Sequence, residues 1–163
     1  MDGILLLEKQ KETNHYQIQS LPINSGVFCL KKDRFQDVVW IGTDGQGVYL
    51  YSNPLYSIKS MVLSNYTEKI ERPVRAIYLD DERTFWVGTK GNGILKIYDY
   101  EFDKNISDCR AEVLTTSNSA LSSNAVYCFA KSHRNLLWIG DEEGLTYYSY
   151  REKSYQEYTN TDR

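Results

Sequence analysis

The sequence has little cysteine and no arrangement of residues that would hold a structural metal. Its three cysteines, Cys29, Cys109 and Cys128, form an odd and widely spaced set, which excludes a disulfide framework. No two of them have C-x-x-C spacing, and neither His15 nor His133 completes a zinc pattern. We therefore expect no metal and no cofactor.

Long hydrophobic runs and an excess of one charge are also missing. No apolar run approaches the roughly 20 residues of a membrane-spanning helix. The start, MDGILLLEKQ, has an apolar run of only four residues and no basic segment before it, so we expect no signal peptide in this chain. The 19 basic and 22 acidic residues are spread along the chain. We therefore expect neither nucleic acid nor a membrane as a direct partner.

Aromatic residues, by contrast, are abundant. The 163 residues include 14 tyrosines and three tryptophans. Tyrosine and tryptophan favour strands, so the composition favours a protein rich in β-sheet. The alternative interpretation is a surface on which sugars or bases stack.

One short pattern occurs three times. The segments are VVWIGTDGQGVYLY (38–51), FWVGTKGNGILKIY (85–98) and LWIGDEEGLTYYSY (137–150). In each, the tryptophan (Trp40, Trp86, Trp138) precedes Ile or Val and then Gly, and 46 and then 52 residues separate the tryptophans. This period is that of repeat proteins and is close to that of four-stranded propeller blades.

Each repeat can be divided into four strands, A to D, and no segment has a helical period. The strands predicted for the first repeat are 26–32, 38–43, 47–51 and 56–63; for the second 74–79, 84–89, 93–98 and 111–115; and for the third 125–130, 136–140, 145–150 and 154–158. The segments 2–10 and 15–21 resemble strands C and D of an earlier blade. The predicted fold is all-β, with propeller blades built as four-stranded antiparallel meanders.

The glycines of the repeat have a structural explanation. A phosphate-binding loop needs a helix after it, whereas a strand follows each of these segments, so we expect no nucleotide. We expect Gly42, Gly88 and Gly140 to lie where neighbouring blades approach too closely for a side chain. Gly45 and Gly91 would serve the turn between strands B and C.

The repeats divide the chain into a half blade (1–21) and three blades (22–65, 66–117 and 118–163). Closed propellers have roughly 4 to 8 blades, so about three and a half blades form a partial, open propeller. We expect a fragment of a longer chain, in which the other blades complete the ring. A rival hypothesis is that two copies pair, because twice fourteen strands would make seven blades.

The repeat resembles the regulator-propeller repeat of two-component sensors. The resemblance rests on the apolar-Trp-[Ile/Val]-Gly-[Thr/Asp] signature, on the Asp-ended strands KKD and LDD, and on ALSSNAVYCF (120–129). It covers nearly the whole chain, although Asp141 replaces the threonine of the first two copies and the turn DEEG lacks the first glycine. Such repeats fill the extracytoplasmic part of hybrid histidine kinases of Bacteroidetes that sense polysaccharide breakdown products. The resemblance implies a periplasmic ligand-sensing piece, with a histidine kinase in the parent chain.

The sequence gives little indication of catalysis. Acidic residues cluster at 80–82 and 141–143, but these segments fall in the A–B and B–C loops, which emerge at opposite ends of a blade. We interpret them as solvated turn residues rather than as the facing carboxylates of a glycosidase. Kinase motifs are also missing, so we expect this chain not to be an enzyme.

The candidate ligand-binding residues come from comparing the repeats with one another. After Val27, Val74 and Val126 stand Phe28, Arg75 and Tyr127, so Arg75 is the only charge among the three. Either it binds a sugar acid or sulfate, or it pairs with a neighbouring blade, which is the interpretation we favour. The long D–A loops 63–73 and 116–124 are suited to recognition. The candidate ligand-binding residues are Arg72, Arg75, Asn124 and Tyr127.

The leading hypothesis is a signalling receptor fragment that binds an oligosaccharide. One alternative is a propeller enzyme, a polysaccharide lyase or glycosidase, which would need convergent acids or a His-Tyr pair at the ring axis. Another is a protein-interaction scaffold of the WD-repeat kind, although that family places Asp after Trp where this chain has Ile or Val.

Overall fold

The computed structural model describes residues 3–10, 15–52, 57–61, 72–104 and 108–158. They form fourteen β-strands in four antiparallel sheets and include no α-helix. The strands are β1 (Leu5–Lys9), β2 (Tyr16–Ser20), β3 (Val27–Lys32), β4 (Val38–Thr43), β5 (Val48–Ser52), β6 (Ser57–Met61), β7 (Val74–Leu79), β8 (Thr84–Thr89), β9 (Ile94–Tyr98), β10 (Ala111–Leu114), β11 (Val126–Lys131), β12 (Leu136–Asp141), β13 (Leu145–Ser149) and β14 (Ser154–Glu157). The predicted all-β fold is confirmed.

The strands pair in chain order, so each sheet is a meander. Strands β1–β2 form a half sheet, and β3–β6, β7–β10 and β11–β14 form the first, second and third sheets. Strands β4, β7 and β8 have the predicted bounds, and the other strands of these three sheets differ by one or two residues at an end. Most of the predicted D–A loop 63–73 lies outside the described residues, and the blade boundaries after residues 21, 65 and 117 stay predictions.

The sheets pack face to face because the second strand of each is apolar on both sides. In β4, Val38 and Trp40 belong to the apolar cluster shared with the second sheet, whereas Ile41 belongs to the cluster shared with the half sheet. In β8, Phe85 packs against Trp40, and Trp86 lies in the cluster shared with the third sheet. Side chains alternate across a strand, so a continuous apolar run buries both faces.

Glycine is needed where consecutive sheets meet. A Cβ on Gly42 would lie 2.7 Å from Val74 Cγ1 of the second sheet, and a Cβ on Gly88 would lie 2.9 Å from Val126 Cγ1 of the third. A Cβ on Gly140 would meet only Cys128 Sγ of its own sheet, at 2.7 Å. The two predicted turn glycines, at positions 45 and 91, have φ of +81° and +119°, which a residue with a Cβ rarely adopts.

A buried carboxylate fixes the tryptophan in each of the first two sheets. Asp33 Oδ2 accepts a hydrogen bond from Trp40 Nε1 at 3.0 Å, and Asp80 Oδ2 accepts one from Trp86 Nε1 at 2.9 Å. Asp80 is 1% exposed, so its interpretation as a solvated turn residue is wrong. The physical reason is that a buried indole N–H needs an acceptor, which the end of strand A supplies.

Two sheet faces remain exposed. On the half sheet, Leu5, Leu7 and Ile18 are 61%, 58% and 63% exposed and share one face, because Leu7 pairs with Ile18. At the other end, Trp138 of the third sheet is only half-buried and contacts Tyr147 within its own sheet. Among the residues described, no helix is long and apolar enough to cross a membrane.

Candidate functional site

The candidate site lies at the end of the sheets formed by the B–C turns and the segments that lead into strand A. We call it the loop face. The pairing of strands A and B shifts register between Val27 and Cys29, between Val74 and Ala76, and between Val126 and Cys128. The shifted positions are Phe28, Arg75 and Tyr127. A β-bulge changes the direction of a side chain, and bulges are frequent beside functional sites. Each of the three complete sheets therefore has one side chain at the same bulged position of strand A.

Arg75 contacts the neighbouring sheet through an aromatic ring. Its guanidinium carbon lies 3.9 Å from the centroid of the Phe28 ring, which is close enough for a cation–π contact. The ion pair that we favoured for Arg75 is not found among the described residues. Arg75 Nε is buried and has no hydrogen-bond partner within that part of the chain. A buried donor without an acceptor is costly, so this conformation of Arg75 depends on its contact with the Phe28 ring.

The other two bulged residues add exposed aromatic surface. Phe28 is 41% exposed and Tyr127 is 40% exposed. The Tyr127 hydroxyl donates to Glu142 Oε1 over 3.4 Å, which is a long contact. The loop face therefore combines the guanidinium of Arg75 with two aromatic rings that a ligand can reach.

Asn124 and Arg72 border the turn of the second sheet. The backbone oxygen of Asn124 accepts the amides of Gly91 and Gly93, and its side-chain Oδ1 accepts the amide of Thr116 at 2.9 Å. A Cβ on Gly91 would lie 3.8 Å from Arg72 Nε, so the exposed Arg72 side chain passes over this turn. Asn124 organises the loop with both oxygens, whereas Arg72 extends along it.

The acidic segments lie at opposite ends of the sheets, as predicted. Residues 80–82 follow β7, whereas Asp141 ends β12 and residues 142–143 lie in the turn before β13. Asp141 is half-buried rather than a freely solvated turn residue, because its carboxylate accepts the Ser122 hydroxyl and the amides of Ser123 and Gly144. The structure does not bring the two segments together as a glycosidase would require.

The described ranges hold no group of three or more His, Cys, Asp or Glu side chains arranged for a metal ion. The loop face also carries the carboxylates of Asp44, Asp141, Glu142 and Glu143, and Glu142 is the one that contacts Tyr127. Arg75 can bind an anionic group, and the two rings can stack on a ligand.

The sequence comparison missed one charged residue, Lys96. It lies in strand C of the second sheet, where it pairs with Trp86. The residues at the equivalent position are Leu50 in the first sheet and Tyr147 in the third. The side chain of Lys96 is 5% exposed. The comparison between repeats that selected Arg75 would also have selected Lys96, had we applied it to strand C.

No protein-family model matches the sequence, and no curated protein matches it. Solved structures do match.

Two of the matching structures come from B. thetaiotaomicron. The extracellular domain of BT3049, assigned as a hybrid two-component system, is 21% identical, with a TM-score of 0.67 over 94% of this chain and 20% of that one. The extracellular domain of BT4673, with the same assignment, is 20% identical, with a TM-score of 0.62 over 90% of this chain and 19% of that one. The chain has the fold of these extracellular domains.

A third match is PorZ, a surface component of the type-IX secretion system of Porphyromonas gingivalis. It is 21% identical, with a TM-score of 0.61 over 88% of this chain and 22% of that one. The chain thus spans about a fifth of the length of each of these proteins.

Proposed function

We propose that the chain is a ligand-sensing piece of an extracytoplasmic, periplasmic β-propeller in a hybrid two-component system. The ligand is an oligosaccharide that presents an acidic group, carboxylate or sulfate, to Arg75. The fold shared with two extracellular domains of such systems supports the sensing role. Kinase activity would belong to the parent chain, and this chain would bind without catalysing a reaction.

The guanidinium of Arg75, held over the Phe28 ring, is the observation on which the choice of ligand depends. Its Nε is buried without a partner in the described part of the chain, and its guanidinium is already oriented by the Phe28 ring. A planar guanidinium held in this way can form a bidentate bond to a carboxylate or sulfate. Phe28 and Tyr127 would then stack on the apolar faces of the sugar rings.

Replacing Arg75 with alanine in the complete sensor tests the proposal. We expect the affinity for oligosaccharides that contain uronic acid or sulfate to fall about 10- to 100-fold, because a charged hydrogen bond contributes roughly 1.5–3 kcal/mol. Titration calorimetry measures the affinity, and autophosphorylation of the kinase measures signalling.

Arg134→Ala is the matched control, because Arg134 is an exposed arginine in the turn between β11 and β12, at the opposite end of the sheets. It should leave both measurements unchanged. Unchanged affinity and signalling in Arg75→Ala would refute the assignment of the loop face.

We also propose that further blades of the parent propeller cover the two exposed sheet faces. The face with Leu5, Leu7 and Ile18 and the face with Trp138 are the positions at which a ring of blades would continue. A second copy of the chain is the rival occupant. We expect the isolated chain to sediment as a monomer, and a concentration-dependent dimer would favour the second copy instead.

A further inference from the structure

The half sheet has an open edge along β1. In each of the three complete sheets the third strand pairs on both sides, as β5 does with β4 and β6. Strand β1 occupies the place of a third strand, because Ile4 and Leu6 pack on the first sheet as Leu50 of β5 packs on the second. Among the described strands, however, β1 pairs only with β2. The other edge of β1 can therefore accept a further strand.

The first strand of the first sheet, β3, is incompletely covered on the side of the half sheet. Leu30 pairs with Ile41, which faces the half sheet and is 1% exposed, yet Leu30 itself is 58% exposed. Its counterpart in the second sheet is Ile77, which pairs with Val87 and is 8% exposed. The half sheet thus covers β4 but leaves this part of β3 open.

A valine of β3 shows the same difference. Val74 and Val126 begin β7 and β11, and both are fully buried. They lie against Gly42 and Gly88, which belong to the second strand of the preceding sheet. Val27 begins β3 at the equivalent position and is only half-buried. What would cover Val27 is a second strand with a glycine at that position.

The interface between the second and third sheets shows which strands normally cover these positions. Phe129 of β11 is the counterpart of Leu30, because it pairs with Ile139 as Leu30 pairs with Ile41. The centroid of its ring lies 6.4 Å from those of Tyr78 in β7 and Trp86 in β8. The first and second strands of one sheet therefore cover the first strand of the next.

The open edge of β1 and the open part of β3 belong to one place in the fold. Two strands added beside β1, in the order of the complete sheets, would extend the half sheet in its own plane and would lie over Val27 and Leu30. We call this place the hairpin position. An edge strand binds a partner through main-chain hydrogen bonds, and the side chains around it provide specificity.

We propose that the hairpin position binds a two-stranded antiparallel hairpin whose second strand carries the apolar-Trp-[Ile/Val]-Gly pattern. The tryptophan of this strand lies opposite Leu6, as Trp40 lies opposite Leu50. Its glycine lies opposite Ile4 and against Val27. The first strand of the hairpin covers Leu30.

This partner differs from the blades proposed above to cover the exposed sheet faces. A blade packs face to face on a sheet, whereas the hairpin joins the half sheet edge to edge. The hairpin position is also separate from the ligand proposed for the loop face. A failure of either proposal therefore leaves the other unaffected.

The test uses the 163-residue chain and a fluorescein-labelled peptide of residues 74–89, VRAIYLDDERTFWVGT. The peptide is the hairpin of β7 and β8, and it contains Asp80, the acceptor for the indole N–H of Trp86. Fluorescence anisotropy measures binding, and hydrogen exchange followed by mass spectrometry locates it. We expect saturable one-to-one binding that slows amide exchange in β1.

One change in the peptide separates a fitted hairpin from ordinary pairing at a sheet edge. Gly88→Val places a side chain where Val27 should lie, since at the complete interface a Cβ on Gly42 would already lie 2.7 Å from Val74 Cγ1. We expect the dissociation constant to rise at least about tenfold. Equal binding of the two peptides would overturn the proposal. Slower exchange at the outer strands β10 or β14 instead of β1 would overturn it as well.

A change in the chain tests the same contact from the other side. Leu30→Asp should raise the dissociation constant at least about tenfold, because the bound hairpin would bury a carboxylate. Val113→Asp is the matched control, since Val113 is 40% exposed on β10, and it should leave binding unchanged. A circular-dichroism melt shows whether each variant is folded, and the peptide comparison stands if Leu30→Asp fails to fold. Folded Leu30→Asp that binds as tightly as the parent chain contradicts the proposal.

A second copy of the chain is the rival occupant of the hairpin position. Sedimentation of the chain with and without excess peptide distinguishes the two. A monomer that takes up one peptide supports the proposal, and a monomer that takes up none overturns it. A dimer that excess peptide neither binds nor dissociates assigns the position to the second copy and overturns the proposal too.

Discussion

Trp86→Ala is expected to lower the free energy of unfolding by about 3–5 kcal/mol, the range for truncating a large buried aromatic side chain. Trp86 is 1% exposed and joins the second sheet to the third through Phe129 and Tyr148. Its removal leaves a cavity between the second and third sheets, and the cavity cannot close unless one sheet moves toward the other. Urea unfolding followed by circular dichroism measures the change.

Trp138→Ala is the matched control, because Trp138 occupies the same position of the repeat. It is half-buried, and its ring contacts, Tyr147 and Tyr158, belong to its own sheet and the segment after it. We expect Trp138→Ala to lower the free energy of unfolding by about 1 kcal/mol, as an average substitution does. Equal losses in the two variants would contradict the inter-sheet role that we assign to Trp86.

Asp80→Ala is expected to lower the free energy of unfolding by about 3–5 kcal/mol, because each buried donor left without an acceptor costs roughly 1–3 kcal/mol. The Asp80 carboxylate accepts hydrogen bonds from Trp86 Nε1, from the Tyr150 hydroxyl at 3.2 Å and from the amide of Thr84 at 2.8 Å. Alanine leaves these buried donors without an acceptor. The same urea experiment measures the loss.

The neighbouring carboxylate provides the control. Asp81 bonds to Arg34 of the first sheet and to Lys131 of the third, but its side chain is 55% exposed. An exposed ion pair contributes at most about 1 kcal/mol, so we expect Asp81→Ala to cost no more than that. If Asp81→Ala cost as much as Asp80→Ala, burial would not be the reason for the importance of Asp80.

The small contribution of Asp81 to the stability of the folded protein should also depend on pH. The hydrogen bond from Lys131, assisted by the charges of Arg34 and Lys131, lowers the pKa of Asp81 below its ordinary value of 3.8. The folded state therefore favours the ionised form. The stabilisation is fully present above that ordinary value and is lost as the pH falls through the lowered pKa of the folded protein.

The comparison of repeats selected Arg75 and Tyr127, and their role in binding stays a prediction. The single charge of Arg75 between Phe28 and Tyr127 pointed to the three residues at which the register shifts. The comparison could not show that the side chain of Arg75 lies over Phe28 rather than beside a carboxylate, because that contact joins residues 47 positions apart on different sheets.

The buried position of Lys96 could be predicted only in part. Within the segment ILKIY, one lysine in a strand of apolar residues indicates an unusual position. Its partner Tyr155 lies 59 residues later, and the pair forms only when the second and third sheets face each other. No local pattern contains that information.

The sequence by itself determined the strands, their order and the two apolar faces of each second strand, because side-chain alternation and turn glycines are local properties of the chain. The tertiary structure alone decided which charges are buried. In the sequence, Asp33 and Asp80 look like acidic residues of turns. In the structure, the packed sheets bury them, and they accept hydrogen bonds from the indole N–H groups of Trp40 and Trp86. Burial is a property of the space between sheets, and the sequence of one strand does not specify what lies across that space.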